Sequence, residues 1–204
     1  MGRSGLSSGD SLNAVVLFVK FPEPGKVKTR LAHSVGAQKA ASIYKDVVDA
    51  IGTTLVSSRT EAAGKISLLV AFDPPERGAE IRSWLNWADG YFAQEGKDLG
   101  ARLLHALHTV FNDGAKRVIL LGSDTLDLHG EIVLEGFRLL EFHDVVLGPA
   151  RDGGYYAIGV KKTIGQLFEG IRWSTSAVLE TTRRRAEALG FSTKLLPLLS
   201  DLDE

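Results

Sequence analysis

The sequence predicts an α/β fold with a mostly parallel sheet. Short continuous apolar runs of strand length alternate along the chain with helical patterns of apolar residues, and glycine, proline or aspartate follows most of the runs. Continuous apolar runs are typical of strands that are buried on both faces, as in parallel sheets. Because ligands bind outside the carboxyl ends of such strands, we expect functional side chains in the loops that follow the runs.

Five apolar runs are predicted to be strands. They cover residues 14–19, 66–72, 118–121, 145–147 and 155–160. Apolar residues spaced three and four apart predict core-facing helices over residues 36–58, around 81–85, and over 99–111, 131–140 and 174–189. Asp98 is positioned to cap the start of the third helix and Gly114 to end it.

The composition excludes several classes of function. The chain has 24 Lys and Arg against 25 Asp and Glu, and this net charge of -1 gives no general attraction to nucleic acid or anionic lipid. It has no cysteine, which excludes disulfides, thiolate metal sites and cysteine nucleophiles. No stretch approaches the ~18 apolar residues of a membrane-spanning helix, and the cytoplasm is the expected compartment.

The chain is predicted to consist of a short leader and one domain. Residues 1–13 are rich in glycine and serine and lack a hydrophobic segment, so we expect a flexible leader. Residues 14–204 have a length that favours one enlarged domain, since domains contain roughly 150 residues.

The loop after the first strand is strongly basic. Lys20, Lys26, Lys28 and Arg30 fall within eleven positions. Two prolines stiffen the loop, and Gly25 lets the backbone approach a ligand closely. The four cations can neutralise a di- or triphosphate, which predicts a nucleotide-binding loop. The spacing is not that of a Walker A loop, and a solvated basic loop is the alternative.

Two carboxylates follow the strand at residues 118–121. Asp124 and Asp127 lie three residues apart in the loop that begins at Gly122. Hard divalent cations prefer oxygen ligands and share them with phosphate oxygens, so Asp124 is the predicted ligand of Mg²⁺ or Mn²⁺. The alternative is that one of these aspartates caps a turn or the next helix.

The loop after the next strand contains Asp152, Gly153 and Gly154, followed by Tyr155. In a parallel sheet Asp152 would emerge at the same edge as Asp124, so we predict it to be a second metal ligand or a catalytic base that orients the acceptor. The two glycines and Tyr155 are predicted to contact the substrate. Aspartate before glycine is also a common turn signal, and a plain connection is the alternative.

Two further segments are weaker candidates. Asp98 and Arg102 lie at the start of a predicted helix, where they are predicted to bind the nucleotide. Trp173, Ser174 and Thr175 open another helix and are predicted to contact the substrate. Ordinary helix capping is the alternative for both segments.

Five segments together resemble one known family. They are residues 18–32, 94–102, 122–128, 148–156 and 167–175, in the order that the family has them. The family is the glycosyltransferase-A-like group labelled CofC-like or radical-SAM/selenodomain-associated transferase, related to the small nucleotidyltransferases. One departure is Thr125-Leu126 between the two acids of the second loop, where the family usually has Cys-Pro.

The resemblance implies a single Rossmann-like, three-layer α/β/α domain of the nucleotide-diphospho-sugar transferase (GT-A) type. It implies a transferase that binds a nucleotide-activated donor through the basic loop and a divalent metal through Asp124. A sugar nucleotide is the preferred donor. The alternatives are nucleotidyl transfer to a phosphorylated acceptor and a non-catalytic nucleotide-binding module. The acceptor and the oligomeric state stay open, and neither a nucleic acid partner nor a membrane span is expected.

Overall fold

The computed structural model describes residues 13–202, which form a mixed sheet with helices on both faces. The strands in this range are β1 (Asn13–Lys20), β2 (Ile66–Asp73), β3 (Gly90–Ala93), β4 (Arg117–Gly122), β5 (Val145–Pro149), β6 (Tyr155–Val160) and β7 (Thr193–Leu195). Their order across the sheet is β3-β2-β1-β4-β6-β5-β7. Among these strands β6 alone is antiparallel to its neighbours. The prediction of a mostly parallel sheet is therefore confirmed.

The helices of the described range divide between the two faces of the sheet. They are α1 (Thr29–Val35), α2 (Ala37–Glu61), α3 (Gly78–Trp84), α4 (Leu99–Asn112), α5 (Gly130–Phe142) and α6 (Val178–Ala188). Alternate residues of β1 show the division: Val15 and Leu17 pack with α2, α3 and α5, whereas Ala14 and Val16 pack with α4 and α6. Because both faces are covered, the strands are apolar at almost every position, and the predicted three-layer architecture is confirmed.

All five predicted strands exist, with ends that differ from the prediction by at most two residues. The sequence does not predict β3, β7 and α1, which have four, three and seven residues. Elements this short contain too few apolar positions to establish a period. The last helix, α6, begins at Val178 and not at 174, because Ser174 has a φ of 60° that a right-handed helix does not allow.

The predicted leader lies almost entirely in residues 1–12, which are outside the described residues. Asn13, which the prediction assigned to the leader, is the first residue of β1. Among the described helices, none is long and apolar enough to cross a membrane.

The sheet brings three predicted loops to one edge. β1 is parallel to β4, and β4 and β5 are both antiparallel to β6, so the carboxyl ends of β1, β4 and β5 lie at the same edge. β6 begins at that edge because it runs in the opposite direction. The loops that contain Lys28, Asp124 and Asp152 therefore follow this common edge.

Candidate active site

A cavity of about 520 Å³ opens at the carboxyl edge of the sheet, a volume usual for small-molecule sites. The loops after β1, β4 and β5 and the segment before α6 line it. Most of the predicted site residues meet on its wall: Lys20, Lys26, Lys28, Arg30, Asp124, Asp152, Gly154, Tyr155, Trp173, Ser174 and Thr175. Four separate stretches of sequence thus converge on one place.

The basic loop, residues 20–30, owes its shape to two backbone positions. Gly25 has a φ of 81°, which favours glycine, and a Cβ added there would meet no atom within 4 Å. Gly25 therefore allows the turn at this position. It does not line the cavity. Lys28 has a φ of 46° directly before α1. Lys26 is exposed and its Nζ lies 3.0 Å from Oε1 of Glu23 in the same loop.

An ion pair connects the basic loop to the loop after β4. Nζ of Lys28 donates to Oδ2 of Asp124 at 2.8 Å. The Lys28 side chain is 7% exposed and that of Asp124 is 43% exposed, so the ammonium is buried while the carboxylate is accessible from the cavity. The structure therefore joins a predicted phosphate ligand directly to the predicted metal ligand.

The hydroxyl groups of Tyr44 and Ser123 connect the basic loop to the loop after β4. The backbone N–H of Lys20 donates to the Tyr44 hydroxyl at 3.0 Å, and that hydroxyl shares a 2.8 Å hydrogen bond with Ser123. Burial, with a smaller contribution from the nearby Asp124 carboxylate, raises the pKa of Tyr44 to about 12, although the hydrogen bonds with Ser123 and Lys20 act in the opposite direction. Sequence reasoning gave Tyr44 no role in the site, because Tyr44 falls on the apolar face of a helix and there indicates only a core position.

Main-chain hydrogen bonds tie the acidic loops to the C-terminal segment, which we define as residues 196–202. Leu199 donates its N–H to the carbonyl of Pro149 at 3.1 Å and accepts from the N–H of Arg151 at 3.2 Å. These two bonds hold the β5–β6 loop. Arg151 Nε also donates to the Ser200 hydroxyl at 2.9 Å.

The same segment holds the loop after β4. Leu126 donates its N–H to the carbonyl of Ser200, and Leu202 donates its N–H to the carbonyl of Asp124, each at 2.9 Å. Asp201 pairs with Thr125 in an isolated antiparallel bridge and lines the cavity. Sequence reasoning missed Asp201, because no apolar pattern in this segment predicts that it returns to the sheet edge.

The Asp152 loop contains the turn that its sequence predicts. Oδ1 of Asp152 accepts a hydrogen bond from the N–H of Gly154 at 2.7 Å. A Cβ at Gly153 would lie 2.2 Å from the carbonyl oxygen of Ser176, so the group pressed against this glycine is backbone of the same chain. Gly153 does not line the cavity, whereas Asp152 does. The turn and a place on the cavity wall are thus compatible for Asp152.

Asp98 and Arg102 lie beside the cavity and do not line it. Oδ1 of Asp98 accepts from the N–H of Ala101 at 2.8 Å, which caps α4 as the alternative interpretation expects. Arg102 donates to Oε1 of Gln94 at 3.3 Å, and Gln94 does line the cavity. The nucleotide contacts predicted for Asp98 and Arg102 stay predictions.

The wall formed by α4 and α6 is more apolar. Leu99, at the start of α4, is 44% exposed, and Val178 opens α6. The rings of Tyr155 and Trp173 meet edge to face with centroids 6.5 Å apart. Burial raises the pKa of the Tyr155 hydroxyl still further above physiological pH. The cavity therefore has a cationic side and an aromatic side.

The donor set of the cavity fits a hard divalent cation that shares its ligands with a substrate. Within residues 13–202, no group of three or more His, Cys, Asp or Glu side chains is arranged to hold a metal ion by itself. Mg²⁺ is usually bound by one or two carboxylates together with substrate phosphates. Asp124, Asp152 and Asp201 all line the cavity, and their carboxylate oxygens are of the kind that this mode uses.

Comparisons with solved structures support this fold. A protein from Desulfovibrio desulfuricans G20, assigned to the nucleotide-diphospho-sugar transferases, is 36% identical with a TM-score of 0.86, over 95% of this chain and 83% of that chain. The inositol-1-phosphate CTP transferase from T. maritima has 14% identity and a TM-score of 0.54, over 96% of this chain and 91% of that chain.

A further structural neighbour is the glucosyl-3-phosphoglycerate synthase from Mycobacterium tuberculosis in complex with Mn²⁺, uridine diphosphate and glucosyl-3-phosphoglycerate. It has 14% identity and a TM-score of 0.54, over 92% of this chain and 70% of that chain. Its likeness and that of the T. maritima enzyme concern the fold alone. Comparison with curated proteins gives no match.

Residues 55–175 match the family described as "Uncharacterized protein conserved in bacteria (DUF2064)". This match covers more than half of the chain, and the Desulfovibrio relative extends the similarity over nearly all of it. The resemblance inferred from the five sequence segments is confirmed at the level of the superfamily and of the transferase class. The chain belongs to the DUF2064 family, within the GT-A-like nucleotide-diphospho-sugar transferase superfamily of transferases.

Proposed function

We propose that this chain is a metal-dependent transferase that uses a nucleotide-activated donor, most directly a sugar nucleotide. The observation that carries the proposal is the convergence of the basic loop, Asp124 and Asp152 on one cavity of about 520 Å³. Cations for phosphate, carboxylates for a metal and an aromatic wall for a ring system suit glycosyl transfer from a nucleoside diphosphate sugar.

The basic loop would bind the diphosphate. Lys20, Lys26 and Arg30 are exposed residues on the cavity wall, and Lys28 is a buried ammonium beside them. Charge-assisted hydrogen bonds from these groups stabilise the bound phosphates and the negative charge that grows on the leaving nucleoside diphosphate.

The carboxylates would hold the divalent cation. Asp124 is the first ligand in this proposal, because its carboxylate is accessible from the cavity and its main chain is fixed by Leu202. Asp152 or Asp201 would complete the protein ligands. When bound, Mg²⁺ or Mn²⁺ supplies charge neutralisation at the phosphate oxygens.

The aromatic side would receive the sugar and the acceptor. Tyr155 and Trp173 supply aromatic surface, and Gly154, Ser174 and Thr175 also line the cavity. If Asp201 completes the metal ligands, Oδ2 of Asp152 is the group that would accept a proton from the attacking hydroxyl, since Oδ1 is engaged by the N–H of Gly154.

Nucleotidyl transfer is the second candidate, and the number of cations is compatible with it. Four cationic residues line one cavity, which suits a triphosphate as well as a diphosphate. In that reaction the phosphate of an acceptor attacks the α-phosphorus and pyrophosphate leaves. The electrostatic requirements are the same, so the products must decide between the two reactions.

The test has two stages. Thermal shifts with a panel of nucleoside diphosphates, triphosphates and sugar nucleotides, each with and without Mn²⁺, identify the donor. Turnover with that donor and candidate acceptors then separates the reactions: glycosyl transfer releases a nucleoside diphosphate, whereas nucleotidyl transfer releases pyrophosphate. If no nucleotide shifts the unfolding temperature with or without metal, the proposed function is wrong.

A further inference from the structure

The Lys28–Asp124 ion pair lies where the proposed function needs both of its members for other partners. Asp124 would bind the cation and Lys28 the phosphate, yet Nζ and Oδ2 lie 2.8 Å apart. We propose that Lys28 is the resident counter-ion of Asp124, and that the metal displaces it in an exchange that transfers Lys28 to the phosphates. This inference rests on the proposed function and adds to it an obligatory coupling between metal and phosphate.

Burial makes the exchange costly for a metal that arrives alone. The Lys28 side chain is 7% exposed, and a buried ammonium is stable only while anionic or polar groups compensate its charge. A cation on Asp124 removes one such group and places a second positive charge close to the ammonium. The metal alone therefore competes against an existing ion pair and binds weakly.

A phosphate that arrives with the metal removes this penalty. Its oxygens supply new acceptors for Lys28 while they complete the coordination of the metal. Because such linkage is reciprocal, the metal raises the affinity for phosphate by the same factor as phosphate raises the affinity for metal. Metal and phosphate consequently bind as one unit.

The fixed main chain on the Asp124 side determines which partner moves. Leu202 holds the carbonyl of Asp124, and Ser200 holds Leu126 in the same loop. Lys28 reaches Asp124 only through a flexible four-carbon side chain. The exchange therefore requires rotation of the Lys28 side chain and no movement of the Asp124 main chain.

The experiment measures binding of Mn²⁺ alone, by electron paramagnetic resonance of the free ion. In Lys28→Met the competitor is gone, and we expect Mn²⁺ to bind about tenfold more tightly than to the unaltered protein, well within the usual span of coupling between sites. Lys28→Arg keeps the charge and should bind Mn²⁺ like the unaltered protein. Asp124→Asn in the Lys28→Met background should abolish the gain.

Lys26→Met is the matched control. Lys26 belongs to the same loop, lines the same cavity and carries the same charge, but it pairs with Glu23 and not with Asp124. Loss of general repulsion alone would tighten Mn²⁺ binding equally in both variants, and that result overturns the inference. A gain confined to Lys28→Met supports it.

Two precautions keep the outcomes distinct. If Lys28→Met does not fold, Lys28→Gln provides the same test with a polar side chain that has no charge. The proposed function is assessed separately by the nucleotide panel on the unaltered protein. Nucleotide binding there, combined with no selective gain of Mn²⁺ affinity in the Lys28 variants, contradicts the exchange and leaves the proposed function in place.

Discussion

The basic loop and the two acidic loops, which follow β4 and β5, are held in place in different ways. Side chains connect the basic loop to the loop after β4: Lys28 binds Asp124, and the Tyr44 hydroxyl, which accepts from the N–H of Lys20, shares a hydrogen bond with Ser123. Main-chain hydrogen bonds connect the acidic loops to the C-terminal segment. A side-chain contact can be exchanged for a ligand, whereas a main-chain contact is lost only with local structure. We therefore expect changes in the basic loop to alter binding, and changes in the C-terminal segment to alter stability as well.

The largest effect is expected from Asp124→Asn. This variant keeps the shape of the acidic side but removes the charge that holds the metal, and turnover should fall on the order of a hundredfold or more. Asp127→Asn is the matched control, because Asp127 is an exposed residue of the same loop with a φ of 58° that asparagine tolerates. Metal-dependent nucleotide binding that survives in Asp124→Asn, measured by calorimetry, would make Asp124 a turn residue.

Arg30→Ala tests the basic loop alone. Arg30 is exposed on the cavity wall, so its removal should leave the unfolding temperature unchanged. Nucleotide affinity should fall by about 1.5 to 3 kcal/mol, the usual contribution of a hydrogen bond to a charged group. Unaltered affinity in the folded variant, measured by titration calorimetry, contradicts the assignment of this loop to phosphate.

Leu199→Pro tests the main-chain hydrogen bonds between the C-terminal segment and the loop that contains Asp152. Proline removes the N–H that Leu199 donates to Pro149, and the free energy of unfolding should fall by about 1 to 3 kcal/mol more than in Leu199→Ala. The alanine variant keeps this N–H and loses only the side-chain packing. Nucleotide affinity should fall together with stability in the proline variant. Equal stability of the two variants in denaturant titrations would show that the segment does not support the loop.

Tyr44→Phe is expected to have the smallest effect. It removes the hydroxyl that links the basic loop to Ser123 in the loop after β4, and it should lower the free energy of unfolding by about 1 kcal/mol. Tyr91→Phe is the matched control, since its hydroxyl donates to the carbonyl of Leu85 at 2.7 Å and does not line the cavity. Both variants should lose similar stability, but only Tyr44→Phe should weaken nucleotide binding.

The raised pKa of Tyr44 also predicts an alkaline transition. Its value changes from 10.0 to about 12 on burial, so the folded state holds the phenol proton more tightly than the unfolded state. This contribution to stability is complete below pH 10 and is lost as pH rises toward 12. In Tyr44→Phe the slope of unfolding free energy against pH in this window should be shallower by up to about 1.4 kcal/mol per pH unit. Urea titrations between pH 9 and 11 provide the measurement.

The sequence predicts the central part of the fold well for a physical reason. Strands that are buried on both faces are apolar at almost every position, so the runs at β1, β2 and β4 are visible in the sequence itself. The edge strands β3 and β7 are short; β3 is mostly half-buried and β7 is mostly exposed, so their residues carry no such constraint. Their positions depend on pairing with neighbouring strands.

The site is predictable to the extent that it follows strand ends. Asp124 and Asp152 stand directly after predicted strands, and the topology brings them to one cavity. Asp201 reaches the same cavity through contacts between segments that are distant in sequence. Contacts of this kind, including the pairing of Lys28 with Asp124, arise from tertiary structure, and no local pattern encodes them.

The central claim is that one bound nucleoside diphosphate, together with its metal ion, contacts both the basic loop and the acidic loop that contains Asp124. A crystal structure with a nucleoside diphosphate and Mn²⁺, with the metal located by its anomalous signal, tests it most directly. We expect the metal between Asp124 and the diphosphate, with Lys26, Lys28 and Arg30 on the phosphate oxygens and the Lys28–Asp124 pair broken. A metal bound away from Asp124, or a diphosphate that does not contact the basic loop, would contradict the account.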